Sequence, residues 1–227
     1  MQFGLGLFTN TTPGIMGIGY ATNEATSNPY PNLVDQMVSQ GLIASRTYSL
    51  YLNDLDSSSG TIIFGGVETQ KFSGTLGTVP INQNSGAITA FTISLTGIGV
   101  TSSNCTTAVS PAMSYPVNVL LDSGTTFMNL PIAIADAIAS VLGATADPFT
   151  FYDLPNCDLL SSNGSIDFEF SGVKISVPFN EFIIRDAAGC FLGMQSINST
   201  CFGILGDSFL RSAYVVYDLV LFYSFLF

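Results

Sequence analysis

Apolar and polar residues alternate along several short stretches of the chain, and glycine, serine and asparagine separate these stretches. The alternation is clearest in "IDFEFSG" at 166–172 and in "VKISVPF" at 173–179. A period of two residues is typical of strands, while Gly, Ser and Asn favour turns. Further strands are predicted at "TYSLYLN", "TIIFGG", "ITAFTISLTGIGV" and "AYVVYDL". The pattern therefore predicts a mainly β chain.

Two stretches have the apolar spacing of a helix instead. The sequence predicts one helix over about 31–40 and a second over 131–142. Each is predicted to begin at a proline and to stop at a glycine, Gly41 or Gly143. The predicted apolar faces are Leu33, Val34, Met37 and Val38 in the first helix, and Ile134, Ala135, Ile138, Val141 and Leu142 in the second.

Composition narrows the function classes. The 227 residues include 5 Lys and Arg against 16 Asp and Glu, no His, and a net charge of −11. Such an acidic chain is not expected to bind nucleic acid or anionic membranes. Without His, histidine triads and most metal sites are removed from consideration, so no metal or cofactor is expected. Few bases also leave little positive self-repulsion in acid, which favours a fold that survives low pH.

Four cysteines and four glycosylation sequons indicate an oxidising compartment. The cysteines are Cys105, Cys157, Cys190 and Cys201, and the sequons begin at Asn10, Asn104, Asn163 and Asn198. Widely spread cysteines in even number, without metal-binding spacing, are typical of secreted proteins. The chain is therefore predicted to be a secreted or cell-surface glycoprotein.

The two ends do not fit that prediction. The first residues, "MQFGLGLFTNTTPG", lack the basic and hydrophobic regions of a signal peptide. The last nine, "LVLFYSFLF", are almost wholly apolar but too short to span a bilayer. Exposed, such a run would be prone to aggregate.

The candidate chemistry lies in "VNVLLDSGTTFMNLP" at 117–131. An apolar strand leads directly into Asp122, and burying a carboxylate is costly unless it is hydrogen-bonded or shares a proton. The glycine and hydroxyl residues that follow can turn the backbone and donate to carboxylate oxygens. Two such carboxylates could share a proton and activate a water molecule. The alternative is an ordinary Asp-Ser-Gly turn, although the apolar flanks disfavour it.

This segment resembles the second active-site loop of pepsin-like aspartic proteases. Five other segments resemble that family in the same order: "GIMGIGYATNE", "YPNLVDQMVSQGLIASRTYSLYLN", "SGTIIFGGVETQKFSGTLGTVPI", "FEFSGVKISVPFNEFI" and "ILGDSFLRSAYVVYD". Asp-Ser-Gly and the Ser- and Asn-rich loops are similar to the yapsin and candidapepsin branch. The resemblance implies an all-β acid-protease fold, with the C-terminal lobe and inter-lobe segment at 31–227 and the end of the N-terminal lobe at 1–30.

The resemblance also implies roles for individual residues. Asp122 would be the second catalytic carboxylate, and Thr125 would hydrogen-bond its outer oxygen. Ser123 would help to cross-link the two active-site loops, while Gly124 and Thr126 would bind the substrate backbone. Ile204 and Leu205 would pack beneath the loop. The family pairing implies a disulfide between Cys157 and Cys190. Cys105 and Cys201 would then either pair with each other, or one of them would have lost its partner with the missing half.

Each lobe of the family has its own aspartate loop and its own apolar-apolar-Gly segment. This chain has two such segments, at 15–17 and 204–206, but one aspartate loop. The first catalytic Asp and the flap are therefore expected before Met1, and the ends resemble those of a truncated gene product or processed fragment.

Three functions follow from the resemblance. The first is an acid endopeptidase that takes peptide or protein substrates and statine-type inhibitors once the N-terminal lobe is supplied, with the isolated chain inactive. The second is a secreted pseudo-protease that binds peptides without cutting them. The third is a homodimer with one Asp122 from each chain. This last hypothesis is disfavoured because "GIMGIGY" is similar to the end of a first lobe.

Overall fold

A computed structural model describes residues 8, 14–102, 105–109, 111, 113–220 and 223–226. Its strands are β1 Thr47–Tyr51, β2 Thr61–Phe64, β3 Gly77–Pro80, β4 Thr92–Leu95, β5 Gly97–Ser102, β6 Cys105–Ala108, β7 Val117–Leu121, β8 Met128–Pro131, β9 Thr145–Ala146, β10 Tyr152–Asp153, β11 Gly164–Phe170, β12 Val173–Pro178, β13 Ile183–Arg185, β14 Cys190–Leu192, β15 Met194–Ile197, β16 Phe202–Leu205, β17 Val215–Asp218 and β18 Tyr223–Leu226. Its α-helices are α1 Leu33–Ser39, α2 Ile132–Leu142, α3 Phe179–Phe182 and α4 Asp207–Leu210. The mainly β fold predicted from the alternating pattern is confirmed.

The strands form four sheets around a shared apolar core. Their strand orders are β2-β1-β17-β18-β3, β13-β14-β10-β9, β12-β11-β5-β6 and β15-β8-β16-β7-β4. The fourth sheet is mixed, because β16 runs parallel to β7 and β15 runs parallel to β8. Alternate residues of its strands are fully buried, including Ile93, Val119 and Leu130. This sheet carries the end of β7, where the candidate carboxylate lies.

Both predicted helices are present, although α1 begins at Leu33 after an Asn32 cap and not at Pro31. The side chain of Asn32 caps α1 by accepting from the Asp35 N–H, while Asp35 accepts in return from the Asn32 N–H. Helix α2 ends at Gly143, whose φ of 71° favours glycine. One part of the predicted apolar face of α2 is wrong: Val141 is 42% exposed. Ala139 is buried in its place, since the packed face of α2 lies along Ile134, Ala135 and Ile138.

The helices α3 and α4 were not predicted. Each has only four residues, which is too short to show a helical period in the sequence. Both are nonetheless packed into the core, with Phe179, Phe182 and Phe209 almost wholly buried.

The apolar run near residue 227 contributes a strand to the interior of a sheet. The strand β18 pairs antiparallel with β17 on one side and with β3 on the other. Ser224 at its centre is buried. Hydrogen-bonded neighbours on both sides leave no open edge on β18, which removes the aggregation hazard expected of a free apolar strand.

The structure contains a disulfide between Cys157 and Cys190, the pairing implied by the family resemblance, with the two Cα atoms 5.5 Å apart. It joins the segment after β10 to the start of β14. Cys105 and Cys201 are both exposed and carry free thiols, so they do not pair with each other.

The described residues before α1 pack on the rest of the chain. The ring of Tyr20 lies 4.8 Å from that of Phe91, and the Asn32 amide donates to the Gly19 carbonyl. In contrast, Ile15 is 86% exposed. The division between lobes at residue 30 stays a prediction. None of the described helices is long and apolar enough to cross a membrane.

Candidate active site

Asp122 follows directly after β7, where two parallel strands end side by side. Leu121 pairs in register with Leu205 at the end of β16, and the Asp122 N–H donates to the Leu205 carbonyl at 3.1 Å. The Thr125 N–H then donates back to the Asp122 carbonyl at 3.2 Å, which closes a turn over Ser123 and Gly124. Buried apolar residues on both strands hold this turn at the edge of the core, and Asp122 is half-buried there.

The carboxyl group of Asp122 is held by two hydrogen bonds from its own turn. The Gly124 N–H donates to Oδ1 at 2.9 Å, and the Thr125 hydroxyl donates to Oδ2 at 2.7 Å. Each carboxylate oxygen can accept a further hydrogen bond, so the group stays able to bind water. A Cβ added at Gly124 would lie 3.1 Å from Oδ1, so glycine lets the backbone approach the carboxylate closely.

The other predicted site residues surround this turn. Ser123, Gly124 and Thr126 are exposed. Leu205 is fully buried beneath Asp122, whereas Ile204 is half-buried and pairs in register with Leu120. The structure thus brings all the predicted site residues together, although the catalytic and substrate-binding roles assigned to them stay predictions.

A second loop supports the first and was not among the predicted site residues. The Asp207 N–H donates to the Thr125 carbonyl at 2.8 Å, and the Ser208 N–H donates to the Thr126 carbonyl at 3.0 Å. A Cβ on Gly206 would lie 2.2 Å from the Thr125 carbonyl oxygen, so only glycine fits between the loops. The signal for this loop was "ILGDSF", where a glycine and a charged residue interrupt an apolar run.

Ser208 connects this second loop to a third segment of the chain. Its buried hydroxyl donates to the Gly193 carbonyl at 2.6 Å and accepts from the Met128 N–H at 3.0 Å. The start of β8 is therefore tied to α4 and to the start of β15. This network restrains the backbone on both sides of the Asp122 turn.

Asp207 is an ionisable group beside the Asp122 turn. Burial raises the pKa of Asp207 to about 6, with the nearby charge of Asp122 acting in the same direction and that of Arg211 opposing it. Its Oδ1 atom is buried and has no hydrogen-bond partner in the described part of the chain. A carboxyl with this environment holds its proton in mild acid.

A cluster of buried aromatic rings lies within electrostatic range of the two carboxyl groups. Tyr48 and Tyr217 stack with ring centroids 4.7 Å apart, and the ring of Phe91 meets Tyr217 edge-on at 4.7 Å. Burial, together with neighbouring ionisable groups that include Asp122, raises the pKa of both phenols. The two phenols therefore keep their protons in acid and at neutral pH.

Within the described residues, no group of three or more Cys, Asp or Glu side chains is placed to hold a metal ion. The site accordingly consists of carboxyl, hydroxyl and backbone amide groups. These groups can orient a carboxylate and a water molecule, which is the chemistry of acid–base hydrolysis.

Known proteins share this fold. The crystal structure of an aspartic proteinase from Irpex lacteus superposes with a TM-score of 0.77, covering 96% of this chain and 68% of that one at 21% identity. This similarity shows a pepsin-like aspartic proteinase fold. The eukaryotic aspartyl protease family model matches residues 4–221, and the chain belongs to that family.

Fungal proteins are among the relatives. A probable aspartic-type endopeptidase opsB of Aspergillus oryzae is 38% identical over 96% of this chain and 47% of its own length. The secreted aspartic protease 8 of Candida albicans is 40% identical over 93% of this chain and 48% of its length. The chain thus spans about half the length of the curated relatives it matches. The relationship to the candidapepsin and yapsin branch is confirmed.

Proposed function

We propose that the protein to which this chain belongs is an aspartic endopeptidase, with Asp122 as one of two catalytic carboxylates. The observation that carries the proposal is the Asp122 carboxyl itself, held by Gly124 and Thr125 at the end of β7 in a chain of this family. An ordinary turn would not need a buried leucine at the end of the neighbouring strand, or a second loop that hydrogen-bonds to it.

The reaction needs two carboxyl groups that share one proton. The ionised group removes a proton from a bound water molecule, and the water oxygen attacks the carbonyl carbon of the substrate. The protonated group donates to the carbonyl oxygen, and the C–N bond then breaks as the amine takes up a proton. Like charges at short range cannot both ionise, so such a pair titrates as a unit.

The second carboxylate is proposed to come from a lobe outside these 227 residues. The relatives are about twice as long as the matched region, and the chain has a single Asp-Ser-Gly loop. The isolated chain is accordingly proposed to lack peptidase activity and to bind statine-type inhibitors weakly or not at all. The peptide-binding pseudo-protease and the homodimer remain the alternatives that the experiment separates.

Substrate binding is proposed to use the exposed rim of the same turn. The backbone at Gly124 and Thr126 would hold a peptide in extended form, as an added strand. Ser123 is exposed and free to bond with a facing loop, while Ile204 and Leu205 support the turn from below.

Secretion and glycosylation are proposed as well. One relative is named a secreted aspartic protease, and the chain contains a disulfide. The sequon residues Asn163 and Asn198 are exposed. Asn10 and Asn104 lie outside the described residues.

The test compares the 227-residue chain with the full-length protein on a quenched peptide substrate at pH 3 to 5. We expect cleavage by the full-length protein, no cleavage by the short chain, and loss of cleavage in full-length Asp122→Asn. Statine-inhibitable cleavage by the short chain would favour the homodimer, and a full-length protein that binds peptide without cleaving it would favour the pseudo-protease.

A further inference from the structure

Three phenylalanine rings meet beside the Asp122 turn. Phe127 lies just before β8, Phe151 lies just before β10, and Phe191 is on β14. The ring centroids are 5.4 to 5.8 Å apart, and each pair of rings meets edge to face. All three residues are half-buried, so the rings pack on one another while part of the cluster stays accessible to solvent. A further apolar side chain that enters the cluster would gain aromatic contacts as well as burial.

Phe127 places this aromatic cluster close to Asp122. It comes two residues after Thr125, whose hydroxyl donates to the Asp122 carboxyl. Two residues of chain span at most about 7 Å, and a peptide bound in extended form advances by about 3.3 Å per residue. The cluster is therefore within reach of a substrate side chain about two to four residues from the bond that lies at Asp122.

The loop that carries Phe151 is held firmly in a strained conformation. The Asp147 Oδ1 atom accepts from the Phe149 N–H at 2.7 Å and from the Phe151 N–H at 2.8 Å. The Thr150 carbonyl accepts from the Ser196 N–H at 3.0 Å, which ties the loop to β15. Thr150 has a φ of 74°, which is unusual for a β-branched residue. Such a conformation persists only where surrounding contacts fix it, and it is common at sites that hold a ligand.

The same loop presents a fourth phenylalanine to solvent. Phe149 is 76% exposed and lies two residues before Phe151. A ring this exposed contributes little to folding, because it buries little apolar surface. Removing it should therefore leave stability unchanged, which separates a role in binding from a role in packing.

We propose that the aromatic cluster and Phe149 form a specificity pocket for one large apolar side chain, preferably aromatic, of the peptide held at the Asp122 turn. The occupant is the peptide because Phe127 directly follows Thr126, part of the exposed rim that is proposed to bind the peptide backbone. The gain comes from burying the apolar surface of the entering side chain against the rings. The inference rests on the proposed function for the position of the peptide, but not for its cleavage.

The experiment measures, by fluorescence polarisation in mild acid, the Kd of labelled decapeptide pools for the full-length Asp122→Asn protein, which is used so that no peptide is cut. Each pool has one position fixed as Phe, Ala or Arg, and the other positions are mixed. At one position the Phe pool should bind about tenfold more tightly than the Ala pool. Adding Phe149→Ser or Phe151→Ala should reduce this ratio to about threefold or less. Phe202→Ser, at the end of β16 remote from Asp122, is the matched control and should leave the ratio unchanged.

Equal binding of the Phe and Ala pools at every position would overturn the proposal. So would an Arg pool that binds more tightly than the Phe pool at the selective position, or a ratio that survives Phe149→Ser. If Phe151→Ala does not fold, Phe149→Ser decides alone, because its exposed ring has little packing to lose. Binding needs no turnover, so a wild-type protein that shows the Phe preference but cuts no peptide would count against the proposed peptidase activity and not against the pocket.

Discussion

Two aspartates of this molecule are withdrawn from water and differ in nearly everything else. Asp167 on β11 is only 2% exposed, yet Thr101 and Ser165 donate hydroxyl protons to its two oxygens at 2.8 Å and Lys174 lies 3.4 Å away. Burial alone would raise its pKa, but the hydrogen bonds and the lysine outweigh burial and lower the pKa. Among the described residues nothing donates to the buried Oδ1 of Asp207, and burial raises the pKa of Asp207 to about 6.

The difference shows that donor supply, more than depth, decides whether a carboxyl stays charged here. The strands β5 and β11 supply Asp167 with hydroxyl donors, β12 supplies Lys174, and the charge is used for stability. The α4 turn leaves Asp207 short of donors beside Asp122. A group of this kind costs stability, and such groups gather at functional sites.

The largest effect is expected from disturbing the backbone of the loop that carries Asp207. Gly206→Ala would place a Cβ 2.2 Å from one carbonyl oxygen and 2.8 Å from another, and backbone atoms cannot give way as a flexible side chain can. We expect a loss of about 3 kcal/mol or more in the free energy of unfolding. Urea unfolding followed by circular dichroism measures it, since the chain has no Trp.

Gly17→Ala provides the matched control for that variant, because a Cβ there would meet no atom within 4 Å. A Gly206→Ala protein as stable as Gly17→Ala would show that the two loops are not packed as described.

Asp167→Asn should have the next largest effect. The asparagine amide would direct an N–H donor at Lys174 or at the hydroxyl groups that donate to the carboxylate in the wild type. We therefore expect the free energy of unfolding to fall by about 2 to 3 kcal/mol at pH 7. A lowered pKa stabilises the fold above the unfolded value of 3.8 and loses this contribution as pH falls below it, so the gap between variant and wild type should narrow in strong acid.

The exposed Asp153→Asn is the control for Asp167→Asn and should change stability by no more than about 0.5 kcal/mol. Equal effects of the two variants, or a gap that widens below pH 4, would contradict the account of Asp167.

Asp207→Asn should change how the free energy of unfolding varies as pH rises, and by a smaller amount than Asp167→Asn changes it. A raised pKa means that the folded chain binds the proton more tightly, so this contribution is complete below 3.8 and is lost as pH rises through about 6. Between pH 4 and 7 the variant should lose less stability than wild type, by about 1 to 2 kcal/mol, because the partly exposed carboxyl keeps some hydration. Parallel profiles for the two proteins would refute the raised pKa.

Thr125→Val is expected to have the smallest effect on folding. It removes the hydroxyl that donates to Asp122 and leaves that half-buried carboxyl to water, at a cost of about 1 kcal/mol or less. Thr126→Val, at an exposed neighbour, serves as the reference in the same unfolding assay. If the free energy of unfolding falls by several kcal/mol more than in the reference, Asp122 is as dependent on protein donors as Asp167 is.

Several strands, the helices α1 and α2, and the Asp122 turn could be predicted from the sequence, because each depends on neighbours a few residues apart. Alternation marked β11 and β12, and proline and glycine marked the ends of α2. The strand-to-turn junction at Asp122 was visible because a carboxylate interrupts an apolar run. The family followed from motifs in order along the chain.

Only the tertiary structure decided which distant groups meet. Glu181 contacts Leu55 and Arg211, which lie 126 and 30 positions away, and no local pattern reports such a pairing. Val141 had the right spacing for the packed face of α2 but lies where no other element covers it. Whether a carboxyl is neutral or charged depends on the donors that folding delivers to it, so Asp167 and Asp207 could not be told apart before the sheets were assembled.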